Sequence, residues 1–270
     1  MVEQERVWLI TGASGGLGAS LIDAALAAGD RVAALSRVPG EDAGSALRWW
    51  PSDLTDVERT RAVVEEAAAA FGRLDVVVNN AGYAEPGAFE ELSDDALRHQ
   101  FDVNFFGGVH VLRAALPHLR AVRRGHVVQM SSLAGQIGAS GMSAYTASKH
   151  ALEGLSVSLA AELAPLGIAL TIVEPGATAT GFRQRWAGKK RSARALADYD
   201  EVAAGLERTG ESYRPPSRPE DIARAVLALV ELPDPPLRLT VGPDALDGVR
   251  RALTRQLDEL EAYRHLTPHG

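Results

Sequence analysis

The sequence predicts an α/β fold, with one doubly wound and mostly parallel sheet of seven strands and helices on both of its faces. Short apolar runs alternate with segments of helical periodicity along most of the chain, and this alternation is typical of parallel sheets covered by helices. The first apolar run leads into a glycine-rich turn at 11–18. That turn and the seven strands favour an open sheet over a TIM barrel, which is the competing α/β layout.

Seven short apolar runs predict the strands of this sheet. The first run ends in the glycine-rich turn, and the others have the length of buried strands. The predicted strands cover residues 7–11, 31–36, 47–50, 74–79, 127–131, 169–173 and 237–241.

Apolar residues at helical spacing predict the helices between the strands. The first helix covers 17–28, and Thr55-Asp-Val-Glu58 is a capping-box pattern that opens a helix ending near Phe71. A helical pattern over 93–122 is interrupted near Asp102. Further helices are predicted at 145–166, 219–231 and 245–264.

Two segments near the end of the chain differ from this regular pattern. The segment 176–216 is rich in charge and glycine and is predicted to be irregular. The closing helix has an apolar stripe that must be buried on its own domain or on a partner subunit. The stripe consists of Leu246, Val249, Leu253, Leu257 and Leu260.

Length and composition exclude several classes of function. A chain of 270 residues, 46% apolar and without a visible linker or repeat, predicts a single domain over 1–270. The absence of cysteine excludes disulfides, thiol catalysis and cysteine-ligated metals. A net charge of −7 disfavours nucleic-acid and membrane partners. Because neither a membrane helix nor a signal peptide is visible, we expect a cytoplasmic protein.

The glycine-rich turn Thr11-Gly-Ala-Ser-Gly-Gly-Leu-Gly18 predicts a dinucleotide site. Glycine lets the backbone approach a pyrophosphate, which lies on the exposed N–H groups of the helix N-terminus. The strict GxGxxG pattern is absent, because Leu21 stands where its third glycine would follow. The strand–helix alternation that follows favours a binding site over a plain tight turn. The candidate residues are Gly12, Ser14, Gly15, Gly16, Leu17 and Gly18.

The end of the second strand favours NADP(H) over NAD(H). An acid about 20 residues after the glycine turn usually binds a free ribose 2′-hydroxyl, whereas this strand ends in Ser36-Arg37. Serine adds no negative charge, and a guanidinium can form two hydrogen bonds to a 2′-phosphate. Alternatively, Arg37 is an ordinary solvated arginine. Asp53, followed by Leu54, could bind the adenine amino group or belong to the turn before Thr55.

The motif Tyr145-Thr-Ala-Ser-Lys149 is the strongest indication of chemistry. On a helix, residues four apart lie on one face, so the ammonium stabilises the phenolate and lowers a pKa that starts near ~10. Such a tyrosine can exchange a proton near neutral pH. An isolated pair would instead indicate a partly buried tyrosine beside a snorkelling lysine. Lys149 is the only lysine among the first 188 residues of a chain with 25 arginines and three lysines, which suggests that its chemistry is needed.

Polar residues at the ends of other strands accompany this pair. Ser132 follows the fifth strand, and Asn79-Asn80-Ala81-Gly82 ends the fourth. Because ligands bind at the carboxyl ends of parallel strands, these residues should lie in one site. Asn104 is a polar residue inside an apolar helical pattern, at a position that most often faces water.

Taken together, these motifs resemble the short-chain dehydrogenase/reductase family of Rossmann-type enzymes, from about residue 5 to 243. The loop TGxxxGxG is that of the shorter members, since extended members usually carry TGxxGxxG. The matching features are the loop at 11–18, NNAG at 79–82, Asn104, Ser132, Tyr145-x-x-x-Lys149 and Pro175-Gly176 with Thr180.

The resemblance implies a catalytic role for four positions. Tyr145 would protonate the substrate carbonyl oxygen, or act as the base in oxidation, and Ser132 would orient and polarise that carbonyl. Lys149 would hold the nicotinamide ribose and lower the pKa of Tyr145. Asn104 would hold a water that relays protons towards Lys149.

The resemblance also implies cofactor contacts. Asn80, with Ala81 and Gly82, would contact the ribose on the adenosine side. The nicotinamide carboxamide would be seated by Pro175, Gly176, Thr178 and Thr180.

In that family the segment after the nicotinamide loop usually forms a substrate lid, here about 180–216. Its aromatic residues could line an apolar pocket or pack on one another, and Phe182 and Trp186 are the candidate substrate contacts; the set is Phe182, Trp186, Tyr199 and Tyr213. Six basic residues and no acid lie in 183–194; this run could attract an anionic substrate or an acidic carrier protein, or be a solvated loop. The seven histidines have no spacing that suggests a metal site.

The predicted function is therefore hydride transfer between NADP(H) and a carbonyl or secondary alcohol, with reduction of a bulky apolar ketone favoured. Alternatives are an epimerase, an enzyme that acts on a carrier-bound acidic substrate, and a nucleotide-sensing protein without turnover, which would generally lack the tyrosine or the lysine. Helices over 104–122 and 145–166 commonly pair subunits in this family, which predicts a homodimer, or else a tetramer.

Overall fold

The computed structural model describes residues 5–182, 194–211 and 214–267. The described residues form one sheet of seven parallel strands in the order β3-β2-β1-β4-β5-β6-β7. This confirms the predicted doubly wound, Rossmann-type sheet. The strands are β1 (Val7–Thr11), β2 (Arg31–Ser36), β3 (Leu47–Pro51), β4 (Val76–Asn79), β5 (Gly125–Met130), β6 (Ile168–Pro175) and β7 (Arg238–Val241).

Helices cover both faces of the sheet. On one face, α1 and α7 bury Leu21 and Ile222 against the strands. On the other, α2, α4 and α5 bury Val63, Val111 and Leu163. The helices are α1 (Leu17–Ala27), α2 (Val57–Phe71), α3 (Asp94–Phe101), α4 (Gly107–Val122), α5 (Ser143–Leu163), α6 (Asp200–Glu211), α7 (Pro219–Val230) and α8 (Pro243–Tyr263).

The strand order places a ligand site at the carboxyl edge of the sheet. β1 pairs with β2 on one side and with β4 on the other, so the chain reverses its direction of winding between β1 and β4. In open parallel sheets the crevice at this switch point is where ligands bind. The loops after β1, β4, β5 and β6 all open at that edge.

Two helical features differ from the predictions. The N-cap of α2 is Asp56, whose side chain accepts from the backbone N–H of Arg59, so the predicted cap at Thr55 is wrong. The Thr55 hydroxyl donates to Asp53 instead. The expected interruption near Asp102 is a π-helical turn, Asp102–Phe106.

The C-terminal third contains one further correction, and it excludes one of the two alternatives for the apolar stripe of the closing helix. The predicted irregular segment 176–216 includes a regular helix, α6. α8 docks on its own protomer through the small residues Ala245 and Gly248, and its leucines stay outside. The exposed fractions of Leu246, Leu253, Leu257 and Leu260 range from 47% to 70%, so the apolar stripe is not buried on its own protomer. Within the described ranges, no helix is both long enough and apolar enough to cross a membrane.

Candidate active site

A cleft of about 1170 Å³ opens at the carboxyl edge of the sheet. The structure brings most of the sequence-predicted site residues together on its walls. Those that line it are Gly12, Ser14, Gly15, Leu17, Ser36, Arg37, Asp53, Leu54, Asn80, Ala81, Gly82, Ser132, Tyr145, Lys149, Pro175, Gly176, Thr178, Thr180 and Phe182. Gly16, Gly18 and Asn104 are not among the described lining residues, and Trp186 lies outside the described residues.

The glycine-rich turn is packed so closely that two of its glycines leave no room for a side chain. Gly12 has a φ of +63°, and a Cβ there would lie 2.8 Å from the Cα of Ala81. A Cβ on Gly18 would lie 2.2 Å from the carbonyl oxygen of Gly12. Among the described residues no side chain caps α1, whose N-cap is Gly16 and whose first turn has no acid. Its first N–H groups therefore suit a pyrophosphate.

The ends of β2 and β3 form one end of the cleft. The hydroxyl of Ser36 donates to that of Ser14 at 2.8 Å, which ties β2 to the glycine turn. Arg37 is exposed and shares this wall with Asp53. The Asp53 carboxylate accepts from the backbone N–H and the hydroxyl of Thr55 at 3.0 and 2.8 Å. The backbone bond is the main reason that the pKa of Asp53 lies below its usual value, so Asp53 serves the turn and also lines the cleft.

Asn80 joins the ends of β1 and β4. Its side-chain amide donates to the carbonyl oxygen of Thr11 at 2.9 Å, and its backbone N–H donates to the Thr11 hydroxyl at 3.0 Å. The backbone N–H of Ala81 donates to the same hydroxyl at 3.0 Å. These bonds fix the main chain of Asn80 and Ala81 along the wall of the cleft.

Tyr145, Lys149 and Ser132 meet at the other end of the cleft. Tyr145 is 8% exposed, and the Nζ of Lys149 lies 5.9 Å from the centroid of its ring. Lys149 is buried and donates to the carbonyl oxygen of Met130 at 2.6 Å. Burial lowers the pKa of Lys149 to about 8, and the nearby carboxylate of Glu153 opposes that shift. The Ser132 oxygen accepts from the N–H of Ala134 at 3.1 Å, which leaves the hydroxyl proton available for donation.

Asn104 lies behind this wall rather than facing water. It belongs to the π-helical turn and is 3% exposed. Its amide nitrogen donates to the carbonyl oxygen of Tyr83 at 2.9 Å and to the hydroxyl of Ser148 at 3.1 Å, and its Oδ1 accepts from the N–H of Tyr83 at 3.0 Å. A Cβ on Gly82 would lie 3.3 Å from that oxygen and 3.8 Å from the Nζ of Lys149. The side chain therefore clamps the loop after β4.

The segment after β6 closes against the glycine turn and α8. A Cβ on Gly16 would lie 3.0 Å from the Cβ of Thr180, so this segment contacts the turn. The carboxylate of Asp244, in the first turn of α8, accepts from the N–H of Ala177 at 2.7 Å. A Cβ on Gly176 would lie 2.1 Å from Oδ1 of that carboxylate, so only glycine fits there.

Apolar side chains surround the phenol of Tyr145 at this end of the cleft. The ring of Phe182 lies 5.6 Å from the ring of Tyr145, centroid to centroid. Tyr199 instead donates its hydroxyl to Glu90 and is not among the described residues that line the cleft. Tyr213 and the basic residues of 183–193 lie outside the described residues. The apolar lining also includes Leu133, Ile137, Met142, Val202 and Leu206.

Several residues of the site were missed by sequence reasoning. Asp244 had a usable signal, since Gly-Pro-Asp follows a strand directly at the carboxyl edge. Tyr83, His99 and Arg251 also line the cleft, and we found no sequence signal for them. Within the described part of the chain, no cluster of three or more His, Asp or Glu could hold a metal ion.

Comparison with known proteins decides the family. The family described as short chain dehydrogenase matches residues 6–191. The chain belongs to the short-chain dehydrogenase/reductase family. It is 38% identical to Oxidoreductase BOA17 of Botryotinia fuckeliana over 97% of this chain and 98% of that protein. It is 34% identical to the 3-ketodihydrosphingosine reductase of Bacteroides thetaiotaomicron over 89% of each chain.

Solved structures of the family agree with the fold and the cofactor class. A short-chain dehydrogenase from Streptomyces avermitilis superposes with a TM-score of 0.86 at 37% identity, over 97% of this chain and 98% of that one. A member from Burkholderia cenocepacia contains NADP (TM-score 0.76, 26% identity, 99% and 100% coverage). A member from Mycobacterium paratuberculosis contains NAD; it superposes with a TM-score of 0.70 at 28% identity, over 87% of this chain and 96% of that one. The protein is thus an NAD(P)-dependent oxidoreductase that acts on CH–OH groups.

Proposed function

We propose that the protein is an NADP(H)-dependent carbonyl reductase that reduces a bulky apolar ketone. The supporting observation is the convergence of Ser132, Tyr145 and Lys149 at the apolar end of a cleft whose other end is the uncapped glycine turn. That turn, the cleft that it lines and the buried lysine fit a nicotinamide dinucleotide. When bound, the nicotinamide supplies the hydride in reduction, or accepts it in oxidation.

In this proposal each catalytic side chain has a defined role. Tyr145 gives its phenolic proton to the substrate oxygen, or takes a proton in the oxidative direction. Ser132 donates a hydrogen bond to the same oxygen and fixes its position. Lys149 holds the ribose hydroxyls and stabilises the phenolate. The side-chain amide of Asn104 is already bonded to Tyr83 and Ser148. A water that relays protons towards Lys149 would therefore bind the main-chain oxygen of Asn104.

The preference for NADP(H) rests on the end of β2. Ser36 brings no negative charge, and the exposed Arg37 can form paired hydrogen bonds with a 2′-phosphate. Gly12, Ser14, Gly15 and Leu17 would bind the pyrophosphate. Asp53, Leu54, Asn80, Ala81 and Gly82 would bind the adenosine, and Pro175, Gly176, Thr178 and Thr180 the nicotinamide.

The apolar wall around Tyr145 supports a bulky substrate with long apolar parts. Phe182 packs on the phenol, and Leu206 of α6 covers it from the lid. A reductase of a ketone is also what one relative is named for, the 3-ketodihydrosphingosine reductase. We further propose that residues 1–270 form one domain with a lid over about 180–216, and that the protein is a cytoplasmic homodimer.

The test is a panel of ketones followed by NADPH absorbance, with Tyr145→Phe as the blank. Bulky apolar ketones should be reduced faster than short polar ones, and NADPH labelled at its transferable hydrogen should leave that label on the product carbon. An epimerase would return the label to the cofactor. Absence of turnover across the panel with a folded, NADPH-binding protein would contradict the proposal.

A further inference from the structure

Glu153 lies directly behind the proposed catalytic residues. It is only 4% exposed and stands one turn after Lys149 on α5, as Lys149 stands one turn after Tyr145. The three side chains therefore follow one another along one side of the helix. A buried carboxylate is costly unless it is paired and hydrogen-bonded, so its retention here calls for a role.

The Glu153 carboxylate accepts hydrogen bonds from two residues that follow β5. One oxygen accepts from the hydroxyl of Ser131 at 2.7 Å and the other from the amide of Gln136 at 3.1 Å. A Cβ on Gly135 would lie 2.0 Å from the carboxylate, so this loop leaves space for it. Ser131 directly precedes Ser132, and Lys149 binds the carbonyl of Met130 on the same strand end. Glu153 and Lys149 thus each form a hydrogen bond with the end of this strand, at Ser131 and Met130.

The charges around Glu153 come from three elements. Lys149 lies on its own helix, Glu174 faces it from β6, and Arg238 of β7 lies 3.3 Å from its carboxylate. Burial raises the pKa of Glu153, whereas the bonds from Ser131 and Arg238 favour its charged form. Its charge opposes the desolvation that lowers the pKa of Lys149.

We propose that Glu153 is a positioning residue for the Tyr145–Lys149 pair. Its carboxylate keeps the buried Lys149 side chain in its ammonium form and anchors Ser131, and with it the main chain that carries Ser132. Glu153 touches neither substrate nor cofactor and acts through its neighbours. This inference rests on the roles proposed above for Tyr145, Lys149 and Ser132.

Glu174 provides a matched control within the same cluster. It is fully buried and accepts from Gln136 at 2.8 Å and from Thr240 at 2.7 Å. It shares Arg238 with Glu153, at 3.2 Å. Glu174 lies on β6 rather than on the helix of Lys149, and the Ser131 hydroxyl donates to Glu153 and not to Glu174. Glu174→Gln therefore removes the same charge from the same cluster without removing the proposed function.

The titration of Lys149 can be followed directly because the chain has only three lysines, and Lys189→Arg with Lys190→Arg leaves Lys149 alone. Lysine labelled with carbon-13 at Cε then gives one signal by NMR. In Glu153→Gln the pKa of Lys149 should fall by about one unit or more, and in Glu174→Gln it should stay near the parent value. An unchanged pKa in Glu153→Gln, or an equal fall in both variants, overturns the proposal. The cofactor-free protein needs no substrate, so this result is independent of the proposed function.

A second pair of variants keeps the inference testable should Glu153→Gln fail to fold. Glu153→Asp retains the charge on a shorter arm, and the pKa of Lys149 should remain closer to the parent value than to that of a neutral variant. Ser131→Ala removes the anchored hydroxyl alone and should lower kcat about tenfold with an unchanged KM for cofactor. A large fall of the Lys149 pKa in Glu153→Asp, or a kcat unaffected in Ser131→Ala, contradicts the proposal.

Discussion

Burial of the Lys149 side chain has two opposite consequences for its chemistry. Desolvation lowers its pKa to about 8, which works against the ammonium that stabilises a phenolate. The same burial excludes water, so the charge that remains acts on Tyr145 through a medium of low polarity. Because the two effects oppose each other, the proposed role of the Glu153 carboxylate, on the next turn of α5, is to favour the ammonium form of Lys149.

Removal of the Tyr145 hydroxyl is the most direct test at the residue scale. Tyr145→Phe keeps the packing against Phe182 but removes the proposed proton donor, so kcat should fall by about 10²–10⁴-fold. The dissociation constant for NADPH should change little, as measured by fluorescence titration. Tyr263→Phe, on the outer part of α8 with 62% exposure, is the matched control and should keep wild-type turnover. Near-normal kcat in Tyr145→Phe would exclude the proposed acid.

Arg37 is the residue on which the proposed preference for NADP(H) depends. Arg37→Asp places a carboxylate where the 2′-phosphate of NADP would lie and where a free 2′-hydroxyl could donate to it. The ratio of kcat/KM for NADPH over NADH should fall by at least about tenfold, since charge-assisted hydrogen bonds are worth about 1.5–3 kcal/mol. Arg61→Asp makes the same charge change on α2, at an arginine that is 69% exposed, and should not alter the ratio. A ratio unmoved in Arg37→Asp would contradict the assignment.

Among the strands and helices, those whose positions depend on local sequence alone could be predicted. β1 and β2 form at the predicted positions because strands that are buried on both faces read as continuous apolar runs in the sequence. α6 was missed because its segment is rich in charge and glycine, although Val202 and Leu206, four residues apart, form an apolar side that lines the cleft.

In the candidate site, too, the features that depend on local sequence could be predicted and those that depend on distant contacts could not. Tyr145 and Lys149 could be predicted to lie together because they are neighbours on one helix. The contact of Asp244 with the loop after β6 joins segments 67 residues apart, and its two ends share no local pattern. The π-helical turn depends on the bond of Asn104 to Tyr83, so the spacing of apolar residues could indicate the interruption but not its form.

The pairing of β5 with β6 has a pH-sensitive contact. His126 lies buried on β5, and its ring lies 3.0 Å from the hydroxyl of Thr171 on β6. Burial lowers the pKa of His126 to about 4. Because the unfolded value is about 6.5, the unfolded chain binds a proton first as the pH falls. The stability contributed by neutral His126 is therefore fully present above pH 6.5 and is lost towards pH 4.

Urea unfolding of wild type and His126→Gln tests this contact. Between about pH 7.5 and about pH 5, the free energy of unfolding of the wild type should fall by about 1–2 kcal/mol more than that of His126→Gln. Glutamine keeps a donor for Thr171 and does not titrate. His265→Gln, at an exposed site after α8, should behave as the wild type does. Parallel pH profiles for wild type and His126→Gln would show that His126 does not titrate as described.

In the whole molecule, α5 and α8 both have exposed apolar residues, but they differ in the number of charged side chains among them. The exposed residues of α5 include one charged side chain, Glu162, near the end of the helix; the others are Ala147, His150, Gly154, Val157, Ser158 and Ala161. The exposed leucines of α8 are interleaved with charges such as Arg255 and Asp258. A solvated helix normally has a charged outer face, and depletion of charged residues is typical of the core of a protein interface. The proposed dimer is therefore expected to form across α5.

Sedimentation velocity can separate the two helices. The wild type should sediment as a dimer of 28.6 kDa chains. In a two-fold interface each substitution meets its own copy or the same surface on the partner, so Val157→Arg, at a residue that is 40% exposed, should give a folded monomer. Leu257→Arg on α8, at 66% exposure, makes the matched change and should leave the dimer intact. A monomeric wild type would contradict the proposed dimer. A dimer that is lost in Leu257→Arg and retained in Val157→Arg would place the contact on α8 instead of α5. Circular dichroism of each variant checks that the sheet remains folded, so that a monomer reports the interface and not unfolding.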